Sequence, residues 1–191
     1  MAHRKRVHHY DHPGQAHELT FSCYHRWPLL EQDEFKTMLS TSIDRGVDKH
    51  GFQLVGFVFM PEHVHLLVFP TTVEARISAL LYAIKRPHSH RTKQWMLAHN
   101  DNWLDRLTVQ ERPGKTVFRF WQEGSGYDRN IESSNVLNAS LEYIHANPVR
   151  RGLCDRVDQW KWSSWHHYNA PGLSDRDLPT VHGMPESSLL P

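Results

Sequence analysis

Cysteine, long apolar runs and an excess of charge of one sign are all scarce in this sequence. Its 191 residues include 2 cysteines, Cys23 and Cys154, which lack metal-type spacing and therefore indicate free thiols in a reducing compartment. The longest apolar run, residues 54–60, is far shorter than the roughly 20 residues that a membrane helix needs. The first residues contain no apolar secretory segment. These observations predict a cytoplasmic protein that does not enter the membrane.

Charge and composition leave room for one folded domain with polar ends. The formal net charge is only +1, so a uniformly basic surface is excluded and any contact with nucleic acid must be local. Residues 1–16 form a basic, histidine-rich arm, and residues 17–168 are long enough for one domain with a sizeable core. Residues 169–191 form a proline-rich tail, for which we expect loop or disorder.

The apolar periodicity of the central part predicts an α+β fold. Strand-like alternation and helix-like spacing follow in the order strand, helix, strand, strand, helix, strand. This is the order of the ferredoxin-like split βαβ fold, a four-stranded antiparallel sheet with both helices on one face. A further helix then remains to cover the free face. The predicted strands are 17–24, 52–60, 63–69 and 116–122, and the predicted helices are 31–49, 73–84 and 133–146.

Prolines set the expected ends of two of these helices. The residue before a proline is pushed away from helical geometry. We therefore expect the second helix to be interrupted or ended at Pro87, and the third to end at Asn147-Pro148.

Two histidines lie two residues apart in the apolar stretch GFVFMPEHVHLLVFP, residues 56–70. Side chains alternate along a strand, so His63 and His65 share one face while Val64 and Leu66 take the other. Paired imidazoles on a rigid strand are potential nitrogen ligands for one divalent metal. Buried histidines satisfied by hydrogen bonds are the other interpretation of this pattern alone.

The third predicted helix carries a second pair of candidate residues. Tyr143 and Asn147 are four residues apart and so lie on one face of the helix. If the helix packs across the free face of the sheet, a phenol and a carboxamide come close to the two imidazoles. Two nitrogens and one amide oxygen leave an octahedral ion free positions for water and phosphate oxygens. Taken singly, Tyr143 also fits a packing role, and Asn147 a helix cap before Pro148.

The two motifs together resemble those of the REP-associated tyrosine transposases, within the single-tyrosine HUH transposases. The matching segments are MPEHVHLLV and YIHANPVRRGL, supported by IKR, FWQEGSGYDRNI and WKWSS, over about residues 18–168. The resemblance implies a ferredoxin-like catalytic domain, a Mg²⁺ or Mn²⁺ ion bound by His63, His65 and Asn147, and Tyr143 as the nucleophile. The sequence departs from the family at 124–126, where other members carry a bulkier, more aromatic run. A looser joint before the third helix is expected there.

The resemblance also implies a reaction and a partner. The reaction is metal-dependent cleavage and strand transfer of single-stranded DNA through a covalent 5′-phosphotyrosine intermediate. The expected substrate carries hairpin-forming repeats, and the enzyme is a monomer or a homodimer. A mobile transposase and a resident enzyme that processes chromosomal repeats share this chemistry and are not separated by the sequence. Local basic groups are the expected DNA contacts, namely Arg4, Lys5, Arg6, Lys85, Arg86, Arg91, Arg150 and Arg151.

A non-catalytic nucleic-acid-binding protein is the alternative from another class. The segment VGFVF at residues 55–59 has a faint similarity to the aromatic strand of an RNA recognition motif, which shares the ferredoxin-like topology. In that strand the position before the glycine is normally basic, whereas here it is Val55. A binder of this kind would show metal-independent affinity and would form no covalent adduct.

Overall fold

A four-stranded antiparallel sheet lies at the centre of the protein. The computed structural model describes residues 11, 14–124, 126–170, 172 and 175–185. The strands, in chain order, are β1 (Ala16–Ser22), β2 (Phe52–Phe59), β3 (His63–Pro70), β4 (Thr108–Arg112), β5 (Lys115–Phe118) and β6 (Tyr127–Ile131). The central sheet has the order β2-β3-β1-β6, and β4 pairs with β5 in a separate hairpin. The prediction of an α+β, ferredoxin-like fold is confirmed.

Helices cover both faces of this sheet. They are α1 (Asp33–His50), α2 (Ile77–Ala98), α3 (Trp103–Leu107), α4 (Ser134–Arg150) and α5 (Trp165–Asn169). Val64 and Leu66 of β3 belong to the core beneath α1 and α2. Leu67 of the same strand belongs to a second core, which contains Leu137 and Ile144 of α4. The alternation of side chains along β3 therefore decides which residues face which helix layer.

A capping serine fixes the start of helix α4, and a glycine of β2 allows the helix to pack close to the sheet. The backbone N–H of Val136 donates to the hydroxyl of Ser133, the N-cap residue, over 3.4 Å. Leu141 then packs over Gly56 of β2, where an added β-carbon would lie only 2.4 Å from its Cδ1 atom. The glycine therefore provides the space that brings α4 close to the sheet.

The fourth strand of the sheet lies elsewhere in the sequence than predicted. We expected it at residues 116–122, but the strand that pairs with β1 is β6. The segment TVFRFWQ instead contributes to β5 and then to the core through Phe120 and Trp121. Residues 101–114, for which no helix or strand was predicted, contain α3 and β4. The sequence did not predict β6, because this strand is polar and lies at the edge of the sheet, and only its residue Ile131 is fully buried.

Proline does not end either helix where we expected it to. Helix α2 continues through Pro87 to Ala98, and α4 continues through Pro148 to Arg150. A proline inside a helix removes one backbone hydrogen bond. In α2 this loss is offset by packing, because buried residues occur on both sides of Pro87, including Ile84 and His88.

The C-terminal segment runs along the outer edge of β2. The backbone N–H of Phe59 donates to the carbonyl oxygen of Trp162 over 2.9 Å, and that of Ser164 donates to the carbonyl oxygen of Phe57 over 3.0 Å. Farther along, the N–H of His182 donates to the carbonyl oxygen of Leu54 over 2.8 Å. Described residues beyond α5 form no helix or strand, but they pair with this edge.

Candidate metal and tyrosine site

The two histidines of β3 face helix α4. His63 and His65 are 7% and 8% exposed, and they lie on the side of the strand opposite Val64 and Leu66. In the register of the sheet His65 lies opposite Thr20 of β1. The predicted sharing of one face by the two imidazoles agrees with this arrangement.

Each imidazole is held through its Nδ1 atom. Nδ1 of His65 lies 2.9 Å from the hydroxyl oxygen of Thr20, and Nδ1 of His63 lies 3.1 Å from Oε1 of Glu62. A carboxylate accepts hydrogen bonds only, so the proton of His63 belongs on Nδ1 when the ring is neutral. Both Nε2 atoms then point toward one place, and they lie 3.0 Å apart.

Burial keeps both rings neutral. It lowers the pKa of His63, against the opposing effect of the Glu62 carboxylate. Burial and the neighbouring His63 lower the pKa of His65 to about 3. Neutral imidazole is the form that binds a metal.

The distance between the two Nε2 atoms fits a shared cation. Two ligands about 2.1 Å from one ion, at right angles to each other, are about 3.0 Å apart. Two neutral nitrogens at this separation repel unless a proton or a cation lies between them. Among the described residues, no group of three or more His, Cys, Asp or Glu side chains is arranged to hold a metal. The carboxamide oxygen of Asn147 is a candidate third ligand beside the two imidazoles.

Helix α4 brings a tyrosine into the same cleft. Tyr143 is 44% exposed and, together with His65, Thr20 and Tyr127, lines a cleft of about 690 Å³. The guanidinium carbon of Arg150 lies 5.0 Å from the centre of the Tyr143 ring. A phenol and an imidazole of the histidine pair thus open onto one space within a single chain.

Asn147 lies one helical turn from Tyr143 and is 8% exposed. Its Nδ2 atom donates to the carbonyl oxygen of Tyr143 over 3.3 Å, which leaves its Oδ1 atom as the potential ligand. The next position on this face of the helix is Arg151, whose Nη1 atom lies 3.0 Å from Oε1 of Glu62. Tyr143 lines one cleft with His65, and Arg151 pairs with the hydrogen-bond partner of His63. Asn147 lies between these two positions on the helix.

The predicted DNA contacts are dispersed. Arg150 and Arg151 adjoin the site, whereas Lys85 and Arg86 lie on α2, on the other side of the sheet. Arg91 donates to the carbonyl oxygen of Met38 over 3.0 Å and to the hydroxyl of Ser42, so it links α2 to α1. The remaining three, Arg4, Lys5 and Arg6, lie outside the described residues.

Sequence reasoning overlooked the residues that hold the histidines. Glu62 is adjacent to His63 in the sequence, and its identity alone could have suggested a hydrogen-bonding partner. Burial tends to raise the pKa of the Glu62 carboxyl, but His63 and Arg151 outweigh burial, so the pKa is lowered and the carboxylate stays ionised. Thr20 gives no such indication, because its position depends on the pairing of β1 with β3.

The arrangement does not support an RNA-recognition surface on β2. Phe57 and Phe59 are 1% and 0% exposed, and both belong to the core beneath α1 and α2. Val55 and Val58, on the opposite face, are covered by the α4 layer. No aromatic side chain of this strand is available to stack on a base.

The sheet, its paired-histidine strand and the tyrosine-bearing helix define the architecture of the HUH tyrosine transposases. A family model described as IS200-like transposase matches residues 14–112, slightly more than half of the chain. The chain belongs to the IS200-like transposase family. The homologous proteins are tyrosine transposases, which are enzymes of the HUH type, so the prediction of an enzyme is confirmed.

Individual relatives agree with this assignment. A curated protein of Haemophilus influenzae, named as a REP-associated tyrosine transposase, is 24% identical over 145 residues, which cover 72% of this chain and 77% of that protein. A solved structure of a REP-associated tyrosine transposase bound to a REP hairpin superposes with a TM-score of 0.69, at 19% identity and 96% coverage of both chains. A transposase structure from Deinococcus radiodurans superposes only weakly, with a TM-score of 0.43 at 20% identity over 77% of this chain and 96% of that chain, and it adds nothing to the assignment. The predicted resemblance is confirmed.

Among the described residues, no helix combines the length and the apolar character needed to cross a bilayer.

Proposed function

We propose that this enzyme cleaves and rejoins single-stranded DNA through a covalent link between Tyr143 and a 5′-phosphate. The observation that carries the proposal is the shared cleft, in which the exposed ring of Tyr143 and the imidazole of His65 line the same space. A second copy of the chain is not required to bring these groups together.

The chemistry at Tyr143 is a phosphoryl transfer. Its phenolic oxygen forms a bond to phosphorus, the bond from phosphorus to the 3′ oxygen breaks, and the phenolic proton is released while the 3′ oxygen gains one. Attack by a 3′-hydroxyl on the phosphotyrosine reverses these changes, so strands are joined without ATP. An unperturbed tyrosine has a pKa of about 10, so the phenol is a weak nucleophile at neutral pH without assistance.

The residues present fit a divalent cation, Mg²⁺ or Mn²⁺. His63 and His65 would hold it through their Nε2 atoms, and Asn147 through its carboxamide oxygen. When bound, such a cation withdraws charge from the non-bridging oxygens of the scissile phosphate. Thr20 and Glu62 fix the ring orientations that such binding needs, as hydrogen-bond partners of ligating histidines commonly do.

We further propose hairpin-forming repeats as the substrate. The solved relative is bound to a REP hairpin, and the family relationship extends this type of substrate to the present chain. Arg150 and Arg151 lie beside the cleft and can contact phosphates next to the cleaved bond. Arg129 lines the cleft as well, held by Glu18 over 2.7 Å and by Ser140 over 2.6 Å.

The test is the formation of a protein–DNA adduct that survives denaturant. Wild-type protein is incubated with a single strand containing a hairpin, with Mn²⁺ or with chelator, and the products are separated on a denaturing gel. We expect a metal-dependent adduct that Tyr143→Phe abolishes and Tyr127→Phe retains. Tyr127 is the matched control because it lines the same cleft. An adduct that persists in Tyr143→Phe but disappears in Tyr127→Phe would overturn the assignment.

A further inference from the structure

Helix α2 carries an exposed aromatic–cation pair on the side of the sheet away from the histidines. Tyr82 is 60% exposed, the guanidinium carbon of Arg86 lies 5.4 Å from its ring centre, and Arg86 also donates to its hydroxyl. We call this pair the Tyr82 ridge. Both of its residues line two separate clefts, one on each side.

The first cleft is a basic groove between α1 and α2, with a volume of about 700 Å³. Arg45 and Lys49 contribute one wall and Arg86 the other, with small residues between them, and no carboxylate lines it. In the described part of the chain none of these three cations forms an ion pair with a carboxylate. For a protein whose formal net charge is +1, this is a concentrated positive region.

Two further observations concern the charges around this groove. The nearest acidic residue of α1 before Arg45 is Asp44, which is directed to the opposite side of the helix, where it accepts a hydrogen bond from the backbone N–H of Thr180 over 2.8 Å. On the other side, burial together with the positive charge of Arg45 lowers the pKa of Arg91. Like charges are thus held close together, an arrangement that a bound polyanion would relieve.

The second cleft, of about 570 Å³, is largely apolar and has charged residues of both signs at its rim. Lys85 lies at its edge, where Nζ donates to the carbonyl oxygen of Gly124 over 3.1 Å and lies 4.9 Å from the ring centre of Phe21. Arg119 and Glu123 also line this cleft and form an ion pair with each other. The apolar part consists of Leu81, Phe118, Phe120 and Trp121.

We infer that the Tyr82 ridge and its two clefts bind unpaired single-stranded DNA that flanks the cleavage site. Phosphates lie in the groove of Arg45 and Lys49, and a base stacks on Tyr82 beside the apolar cleft. The combination of an exposed aromatic ring, an apolar recess and unpaired cations is what non-duplex nucleic acid requires. The inference rests on the proposed function, since it assumes a single-stranded DNA substrate.

The chain itself connects this surface to the candidate catalytic cleft. The apolar cleft extends to Gly124, and β6 begins three residues later at Tyr127, which lines the cleft of Tyr143 and His65. A strand of DNA that leaves the catalytic cleft past Tyr127 therefore reaches the Tyr82 ridge around the edge of the sheet.

Binding is measured by fluorescence anisotropy in the presence of chelator, so that cleavage does not contribute. Two strands are compared: a hairpin with a long unpaired flank and the same hairpin with the flank removed. We expect the double variant Arg45→Gln/Lys49→Gln to bind the long strand about tenfold more weakly, and its log–log salt slope to fall by about 1.4, or about 0.7 for each lost phosphate contact. Tyr82→Ala is expected to weaken binding of the long strand by about fivefold or more.

The matched control removes the same charge elsewhere. Arg156→Gln/Arg176→Gln alters two exposed arginines near the C-terminal segment, and we expect it to bind both strands as the wild type does. A long flank carrying 5-iododeoxyuridine is expected to form a photochemical cross-link at Tyr82. Equal losses in the groove and control variants, or a wild-type affinity that does not depend on the flank, would overturn the inference. So would binding of poly-glutamate as tightly as the long strand.

This outcome is separable from that of the proposed function. Failure to form the denaturant-resistant adduct would remove the catalytic proposal. Flank-dependent binding without that adduct would still establish the surface, because the binding assay contains no metal and involves no cleavage.

Discussion

Arg151 and Glu62 form an ion pair of 3.0 Å that joins the end of helix α4 to the hydrogen-bond partner of His63. The tyrosine-bearing helix and the histidine strand are therefore connected by charge as well as by apolar packing. Arg26 lies on the other side of the same carboxylate, 3.4 Å away. Glu62 is thus the point at which both halves of the candidate site meet.

The first prediction concerns this carboxylate. Glu62→Ala removes both the acceptor that orients His63 and the partner of Arg151, and we expect the affinity for Mn²⁺ to fall by about 10- to 100-fold. Glu62→Gln keeps an acceptor oxygen for His63, so we expect a smaller loss of Mn²⁺ affinity. Titration of Mn²⁺ followed by electron paramagnetic resonance measures the affinity. An alanine variant that binds Mn²⁺ as the wild type does would show that Glu62 has no orienting role.

Thr20 provides a second, chemically matched test. Its hydroxyl lies 2.9 Å from Nδ1 of His65 and can fix the tautomer that leaves Nε2 free. Thr20→Val keeps the shape but removes the hydroxyl, so we expect Mn²⁺ affinity to fall by about tenfold or more. Thr20→Ser keeps the hydroxyl and should remain close to the wild type. Identical behaviour of the valine and serine variants would contradict the prediction.

Alanine substitutions at two glycines before β6 distinguish the cost of backbone strain from the cost of steric overlap. Gly124 and Gly126 both have positive φ angles, 99° and 80°. An added β-carbon at Gly124 meets nothing within 4 Å, whereas at Gly126 it would lie 2.1 Å from the carbonyl oxygen of Thr20. We expect Gly124→Ala to lower the free energy of unfolding by about 1–2 kcal/mol. Gly126→Ala should lower the free energy of unfolding by clearly more, because β1 and β6 must also move apart. Urea denaturation of both variants gives the comparison, and equal losses would refute it.

The stability of the fold should decrease in mild acid because of His88. This residue is fully buried, its Nε2 atom lies 3.0 Å from the carbonyl oxygen of Phe35, and burial lowers its pKa to about 3. Below pH 6.5 the unfolded chain takes up a proton that the native His88 does not, so the unfolded state is favoured progressively as the pH falls from 6.5 toward 3. The stabilisation is complete above pH 6.5.

The expected size of this effect is at most about 1.4 kcal/mol per pH unit for one histidine. Urea unfolding at a series of pH values, from about 4.5 to about 7.5, measures the slope of the free energy of unfolding against pH. His88→Gln should reduce the slope, and His90→Gln, which alters an exposed histidine of the same helix, should leave it unchanged. His145, with a pKa lowered by burial to about 4, adds to the wild-type slope in the same direction. An unaltered slope in His88→Gln would contradict the assignment.

The paired histidines show what sequence pattern alone can predict. Alternation along a strand is a local property, so HVH in an apolar stretch was sufficient to place His63 and His65 on one face and Val64 on the other. The spacing of Tyr143 and Asn147 was equally local, because four residues make about one helical turn. The groups that hydrogen-bond to these residues cannot be predicted from neighbouring sequence. Thr20 reaches His65 only because β1 pairs with β3, 45 residues away in the chain.

The misplaced fourth strand has a different physical cause. A strand at the edge of a sheet needs few buried side chains, so YDRNI lacks the apolar alternation by which strands are recognised. TVFRFWQ shows that alternation, yet Phe120 and Trp121 are buried because they pack beneath α2 after β5 has ended. Apolar periodicity reports burial, and burial does not require a ladder of backbone hydrogen bonds.

The segment that runs along β2 has a consequence for assembly. Trp162, Ser164 and His182 already occupy outer hydrogen-bonding groups of that strand, and the other outer strand of the central sheet is β6. A neighbouring molecule that added a strand at β6 would lie directly beside Tyr127 and the opening to Tyr143. Self-association by strand addition and access of the substrate would therefore compete for one place on the molecule.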